Sequence, residues 1–131
     1  MMAGTRFHLA LIILATLAFR LPGISVLPLW DWDEGVNLNI AANLAEGRSE
    51  WFSIKYLWLP HPPLYYALAA AYMKLTSFTL TSMRTLSVLY STLTAIVIYY
   101  IAKAAMDSRA GLFAGLYFAI HPAAAYWGRI L

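Results

Sequence analysis

Cysteine is absent, so the chain has neither a disulfide nor a thiolate site. Charge is scarce as well: 11% of the 131 residues are Asp, Glu, Lys or Arg, against 62% hydrophobic. Soluble domains carry about 25% charged residues, so this composition points to an integral membrane protein. The net charge is only +3, and the basic residues are scattered singly with no run among them. That distribution argues against a nucleic-acid partner. There is no internal repeat, low-complexity tract or linker. What the chain does contain is apolar length and aromatic rings. Its nine tyrosines and five tryptophans suit the belts that form where a bilayer meets water.

The expected architecture is all-α, with about three transmembrane helices and two interfacial helices in the first external loop. The first span is placed at about 7–29. Its uncharged part, Phe7–Phe19, has the length of a signal-peptide core, but Arg20, Pro22 and Pro28 are poor neighbours for cleavage, so an uncleaved helix is favoured. The other spans are placed at 85–102 and 110–127, each 18 residues without a charge. Small residues, Ser87 with Ser91 and Gly111-x-x-x-Gly115 with Ala119, offer close helix contacts there. The external loop is placed at 30–84, with surface helices over 34–46 and 62–75. Asp33 suits the N-cap of the first and Gly47 its C′ position. A narrow polar stripe of Asn39, Asn43 and Glu46 beside a broad apolar face predicts a helix lying in the interface plane. The 62–75 helix opens on prolines, which fit a first turn, and its uncharged run, Leu64–Met73, is short for a span.

Three carboxylates fall together in Trp30-Asp31-Trp32-Asp33-Glu34-Gly35. Taken alone, Asp33-Glu34 is a competent helix start, His61-Pro62-Pro63 a rigid turn, and Tyr65 and Tyr66 belt residues. Arg84 and Arg129 read as snorkelling flanks, and Asp31 as solvated loop. His8 and His121 have no partner nameable from sequence and are read as structural.

In order along the chain, Trp32-Asp33-Glu34-Gly35, His61-Pro62-Pro63-Leu64-Tyr65-Tyr66, Arg84-Thr85-Leu86-Ser87 and Tyr126-Trp127-Gly128-Arg129 carry more weight. Together they resemble the N-terminal part of the GT-C membrane glycosyltransferases, in particular the protein O-mannosyltransferase and aminoarabinose-transferase-like group. The resemblance implies a polyprenyl-phosphate sugar donor, such as dolichyl or undecaprenyl phosphate. It implies inverting transfer on the extracytoplasmic face to an acceptor hydroxyl on a protein or a lipid-linked glycan. By that likeness Asp33 is the general base, a carboxylate that takes the acceptor's proton, and Glu34 orients the acceptor or supports the site. His61 would face the lipid phosphate. Arg84 or Lys55 would offset its charge on departure, and Tyr65 joins this substrate-binding set. No metal ligand is assigned, although acids near Asp33 suit a hard cation such as Mg²⁺ or Mn²⁺.

The resemblance also implies about a dozen spans and a second acidic residue after the Gly-Arg segment. The chain ends at Leu131 before either, so the reading expects an N-terminal portion, a truncated product or one piece of a split enzyme, with these residues inactive alone. Keeping both acids on one face requires 62–75 to lie in the interface. The expected setting is a plasma membrane or its equivalent, with the N-terminus cytoplasmic and the 30–84 loop outside. The competing reading is a non-catalytic small membrane protein, a remnant or assembly subunit that packs through Gly111-x-x-x-Gly115. A transporter fragment is disfavoured, because neither the 85–102 nor the 110–127 segment contains a charge.

Overall fold

A computed structural model of the chain describes the backbone of residues 2–26, 32–48 and 63–130, and the side chains of 4–26, 34–48 and 64–130. The all-α expectation is borne out: the described residues form helices joined by turns, with no strand. In chain order these are α1 (Met2–Arg20), α2 (Trp32–Ala45), α3 (Pro63–Leu75), α4 (Leu80–Ala105), α5 (Ser108–Ile120) and α6 (Pro122–Trp127). Among the described residues, α4 alone is both long and apolar enough to cross a membrane. The chain divides into two compact units, one of Met1–Ile24 with Ser87–Ile130 and one of Ser25–Leu86.

In the first unit α1 packs on α5 and α6. Its core joins Ile12 of α1 to Ala95 and Tyr99 of α4, with Leu9, Leu112, Leu116 and Phe118 around them. The approach is close because α5 presents Gly111, Gly115 and Ala119, all buried. A Cβ on Gly111 would lie 2.7 Å from the Tyr99 carbonyl oxygen, and one on Gly115 would lie 2.5 Å from Cδ1 of Ile12. The stripe read from sequence as an assembly face is therefore filled within the chain. Hydroxyls of Thr16, Thr92 and Thr94 bond carbonyls one turn back, at 2.8–2.9 Å, which satisfies these three groups within their own apolar helices. Outward-facing residues are apolar instead: Leu14, Val97, Phe113 and Tyr117 are each more than half exposed. Such surface suits lipid or further helices.

The 110–127 segment is two helices. α5 ends at Ile120 and α6 starts at Pro122, with His121 between them in extended backbone. The physical reason is that Pro122 has no N–H to continue the ladder. His121 serves both ends: its N–H donates to the Tyr117 carbonyl, and its Nδ1 accepts from the Ala124 N–H at 3.5 Å. His8 also has a partner, with Nδ1 3.2 Å from the Ser108 hydroxyl. At the other end of α5, Asp107 accepts from the Arg109 and Ala110 N–H groups at 2.8 Å. These bonds hold its carboxyl below the ordinary carboxylate range. The cap is accordingly present near neutral pH and is lost as pH falls through that lowered value.

In the second unit α2 packs on α3. α2 begins at Trp32, so Asp33 occupies the first turn and is not the N-cap. Gly47 ends the helix in the left-handed conformation, φ 72°, with the Arg48 N–H reaching the Asn43 carbonyl at 2.9 Å, the closure of a Schellman turn. The predicted polar stripe holds in part: Asn39 and Glu46 are exposed, but Asn43 is covered. Asn43 is 5% exposed, and Glu34 and Asn37 are fully buried, because Glu34, Asn37, Ala41 and Ala45 fall on one face at helical spacing. α3 has 13 residues, roughly 20 Å of helix.

The packing at Gly115 sets a test. Gly115→Leu should destabilise the detergent-solubilised protein by about 1–3 kcal/mol through overpacking against Ile12. Combining it with Ile12→Ala should recover part of that loss, read as thermal midpoints on one instrument.

Candidate active site

Glu34 and Arg84 lie fifty residues apart in sequence, and the second unit brings them into a two-pronged ion pair. Arg84 Nε donates to Glu34 Oε1 at 2.8 Å, and its terminal nitrogen donates to Oε2 at 2.7 Å. Arg84 is 1% exposed and Glu34 fully buried. The planar guanidinium matches the carboxylate fork, a geometry that lysine cannot reproduce. α2 supplies the acid from its first turn, and α4 supplies the base from its second, with the Thr79 hydroxyl accepting from the Ser82 N–H to start that helix. The same buried layer holds Asn37, whose Oδ1 accepts from the Tyr66 hydroxyl of α3 at 2.9 Å. Tyr65 is half-buried on the same helix, its ring edge-on to Tyr66 at 5.2 Å.

Of the residues singled out from sequence, then, Glu34 and Arg84 meet directly, and Tyr65 stands beside the Tyr66–Asn37 pair. Arg84 is no snorkelling flank. The Asp33 backbone lies in α2, but its side chain falls outside the described residues, as do Lys55 and His61 entirely. Among the described residues no three His, Asp or Glu side chains gather as a cation site. Sequence reasoning missed Asn37, although a helical wheel drawn from Glu34 places it on the same face three residues later.

It also missed Arg20 in the first unit, which is fully buried. Its Nε donates to Ser91 Oγ at 2.7 Å, and its terminal nitrogens donate to the carbonyls of Ala119, Phe118 and Ala124 at 2.7, 3.3 and 3.1 Å. Phe118 and Ala119 are in the last turn of α5, where the missing N–H of Pro122 leaves carbonyls without an intrahelical donor. Arg20 thus caps α5 and lays a positive charge at the negative end of its dipole. Gly128 gives it room, since a Cβ there would fall 2.7 Å from Nε. Beside it is an open groove of about 330 Å³ lined by Tyr90, Ser91, Thr94, Phe118, Trp127 and Gly128, among others.

With this geometry in place, comparison with known families is informative. Residues 60–131 match the model of the dolichyl-phosphate-mannose-protein mannosyltransferase family. That stretch is more than half of the chain, and the chain belongs to this family, a glycosyltransferase family of the GT-C type. It is accordingly a membrane protein, in keeping with the apolar length of α4. No curated protein and no solved structure matches the chain. The matched stretch includes Arg84 and starts after Asp33-Glu34.

Removing one partner of the buried pair strands the other charge. Arg84→Leu and Glu34→Leu should each cost about 3–5 kcal/mol, whereas the double variant should regain most of that stability. Chemical denaturation of the four proteins in detergent measures the cycle; additive losses would show that the two residues are not coupled.

Proposed function

We propose that this chain carries the acidic half of a glycosyltransferase site. The enzyme transfers a sugar from a polyprenyl-phosphate donor to an acceptor hydroxyl, with inversion at the anomeric carbon, on the extracytoplasmic face of the membrane. The donor class, dolichyl-phosphate mannose, and the acceptor class, protein, are those of the mannosyltransferase family to which the chain belongs. Asp33 is the general base. As the acceptor oxygen attacks the anomeric carbon, the carboxylate takes the hydroxyl proton and the lipid phosphate leaves with the electron pair of the glycosidic bond.

The observation that carries this reading is the buried Glu34–Arg84 pair, because it ties the first turn of α2, and so the Asp33 backbone, to the helix that opens inside the family-matched stretch. Glu34 supports the base by fixing that turn. Arg84 acts through Glu34, while Lys55 and His61 are the groups assigned to the departing phosphate and Tyr65 to the donor. In this reading three segments cross the bilayer, one led by α1, which ends at Arg20 short of the expected 29, one formed by α4, and one formed by α5 with α6, with the N-terminus cytoplasmic. The helices α2 and α3 lie in the interface of the external loop, consistent with an α3 of roughly 20 Å against a hydrocarbon core of about 30 Å. The competing remnant reading loses its surface, since Gly111 and Gly115 are occupied within the chain.

The test is transfer of labelled mannose from dolichyl-phosphate mannose to a serine- and threonine-containing peptide by membranes containing the intact protein. Asp33→Asn should lower the rate by at least about 100-fold with expression and membrane insertion unchanged. Asparagine serves a helix start as well as aspartate, so a variant that keeps its rate would leave Asp33 as a helix-terminal residue alone.

A further inference from the structure

The first unit is nearly without acid. Asp107 is its one acidic side chain, against Arg6, Arg20, Lys103, Arg109 and Arg129. Asp107 caps the start of α5 and Arg20 caps its end. The 13 residues of that helix set those ends about 20 Å apart. Arg129 belongs to the Arg20 end, since its terminal nitrogen donates to the Pro22 carbonyl at 3.2 Å. Two guanidinium groups thus share one end of the unit, and the unit's carboxylate is at the other. The dipole of α5 offsets only about half a charge, and a buried cation ordinarily has an anion near it. The same end holds the groove of about 330 Å³, within the range of ligand-sized pockets, roughly 300–1,000 Å³. Ser91, Phe118, Ala124 and Gly128 line it, and each also abuts the Arg20 guanidinium from behind: Ser91 Oγ at 2.7 Å, the Phe118 and Ala124 carbonyls at 3.3 and 3.1 Å, and Gly128 closely enough that a Cβ would meet Nε. Tyr90 and Trp127 complete an aromatic lining, with Trp127 64% exposed. Arg129 follows Gly128 directly, its Pro22 bond lies at the surface, and a guanidinium has further donors for a second acceptor.

We infer that this groove seats the carrier lipid of the donor: the isoprene units next to the phosphate lie against Tyr90, Phe118 and Trp127, and Arg129 donates to the phosphate. An aromatic, largely apolar groove with two uncompensated cations at its end fits an amphiphile with an anionic head. Isoprene units supply apolar surface for the rings, and a phosphate accepts from a guanidinium in charge-assisted bonds. Arg20 does not touch the lipid. It acts through the groove wall, where its charge is weakly screened by the apolar surroundings. The inference rests on the reading of a polyprenyl-phosphate sugar as donor, and it does not require Asp33 to be the base. In the proposed orientation the Arg20 end of α1 is extracytoplasmic, the face on which the donor presents its phosphate.

The experiment is photo-capture of a diazirine-bearing dolichyl phosphate by the intact protein in phosphatidylcholine vesicles, with the labelled peptides read by mass spectrometry. Unlabelled dolichyl phosphate, dolichol, phosphatidylglycerol and inorganic phosphate serve as competitors. Label should fall on the α4 and α6 peptides that contain Tyr90 and Trp127, and dolichyl phosphate should displace it far better than the other three. Arg129→Gln should weaken capture about 10- to 100-fold, with Arg129→Lys recovering part of the loss. Trp127→Ala should weaken dolichyl phosphate and dolichol alike, and it supplies the measurement if Arg129→Gln does not accumulate. Dolichol competing as well as dolichyl phosphate would overturn the role of Arg129, and phosphatidylglycerol doing so would overturn the assignment to a polyisoprenoid. Label elsewhere in a protein that transfers mannose to the peptide would overturn the groove and leave the transferase reading standing. Label in the groove of a protein that transfers no mannose would overturn the transferase reading and leave the lipid site.

Discussion

Arg84 and Glu34 make two parallel hydrogen bonds where water does not reach, and the second unit is organised by what that requires. A buried guanidinium is tolerable only with a carboxylate in matching geometry, since either charge alone would bear the full cost of desolvation. Meeting the requirement sets the rotation of α2 about its axis. With Glu34 turned inward, Asn37 turns inward as well and must find a partner, which Tyr66 provides for one of its two ends. The side chain of one arginine thus orders a buried polar layer drawn from α2, α3 and α4.

Arg20 obeys the same rule in the first unit by other means. It has backbone carbonyls and the Ser91 hydroxyl for partners, and those carbonyls are available because Pro122 interrupts the helix. Break and cation answer each other: the proline exposes acceptors, and the arginine consumes them. In an apolar setting, backbone groups freed by a proline have to be satisfied within the protein, so Arg20 makes the α5–α6 junction tolerable. Small residues act at the same level. Gly115 admits Ile12, and Gly128 admits Arg20 and Ser91, so that contacts are made by shape where burial of apolar surface brings little gain against lipid.

Much of this was legible in the chain. Scarce charge and long apolar runs determine a membrane class and a helical one, because only internally hydrogen-bonded backbone is stable in hydrocarbon. Helix punctuation follows from local chemistry, as Gly47, Asp107 and Pro122 illustrate. The order of Asp33-Glu34, His61-Pro62-Pro63 and Arg84 carried the likeness to a GT-C glycosyltransferase, and the family match over residues 60–131 agrees with it. These are properties of composition, of neighbours in sequence, or of motif order, and they need no three-dimensional information.

Pairing lay beyond that reach. Arg20 and Arg84 look alike in sequence, each a lone cation beside an apolar run, yet one caps carbonyls and the other holds a carboxylate. The wheel of α2 suggested a wet stripe at Asn39, Asn43 and Glu46. Only the packing of α3 decided that Asn43 is covered and that Glu34 and Asn37 face inward. Sequence by itself determined the class of the protein, its helices and the residue types available for chemistry. Tertiary structure alone decided which polar groups meet, because the worth of a buried charge or amide depends on the partner brought to it from many residues away.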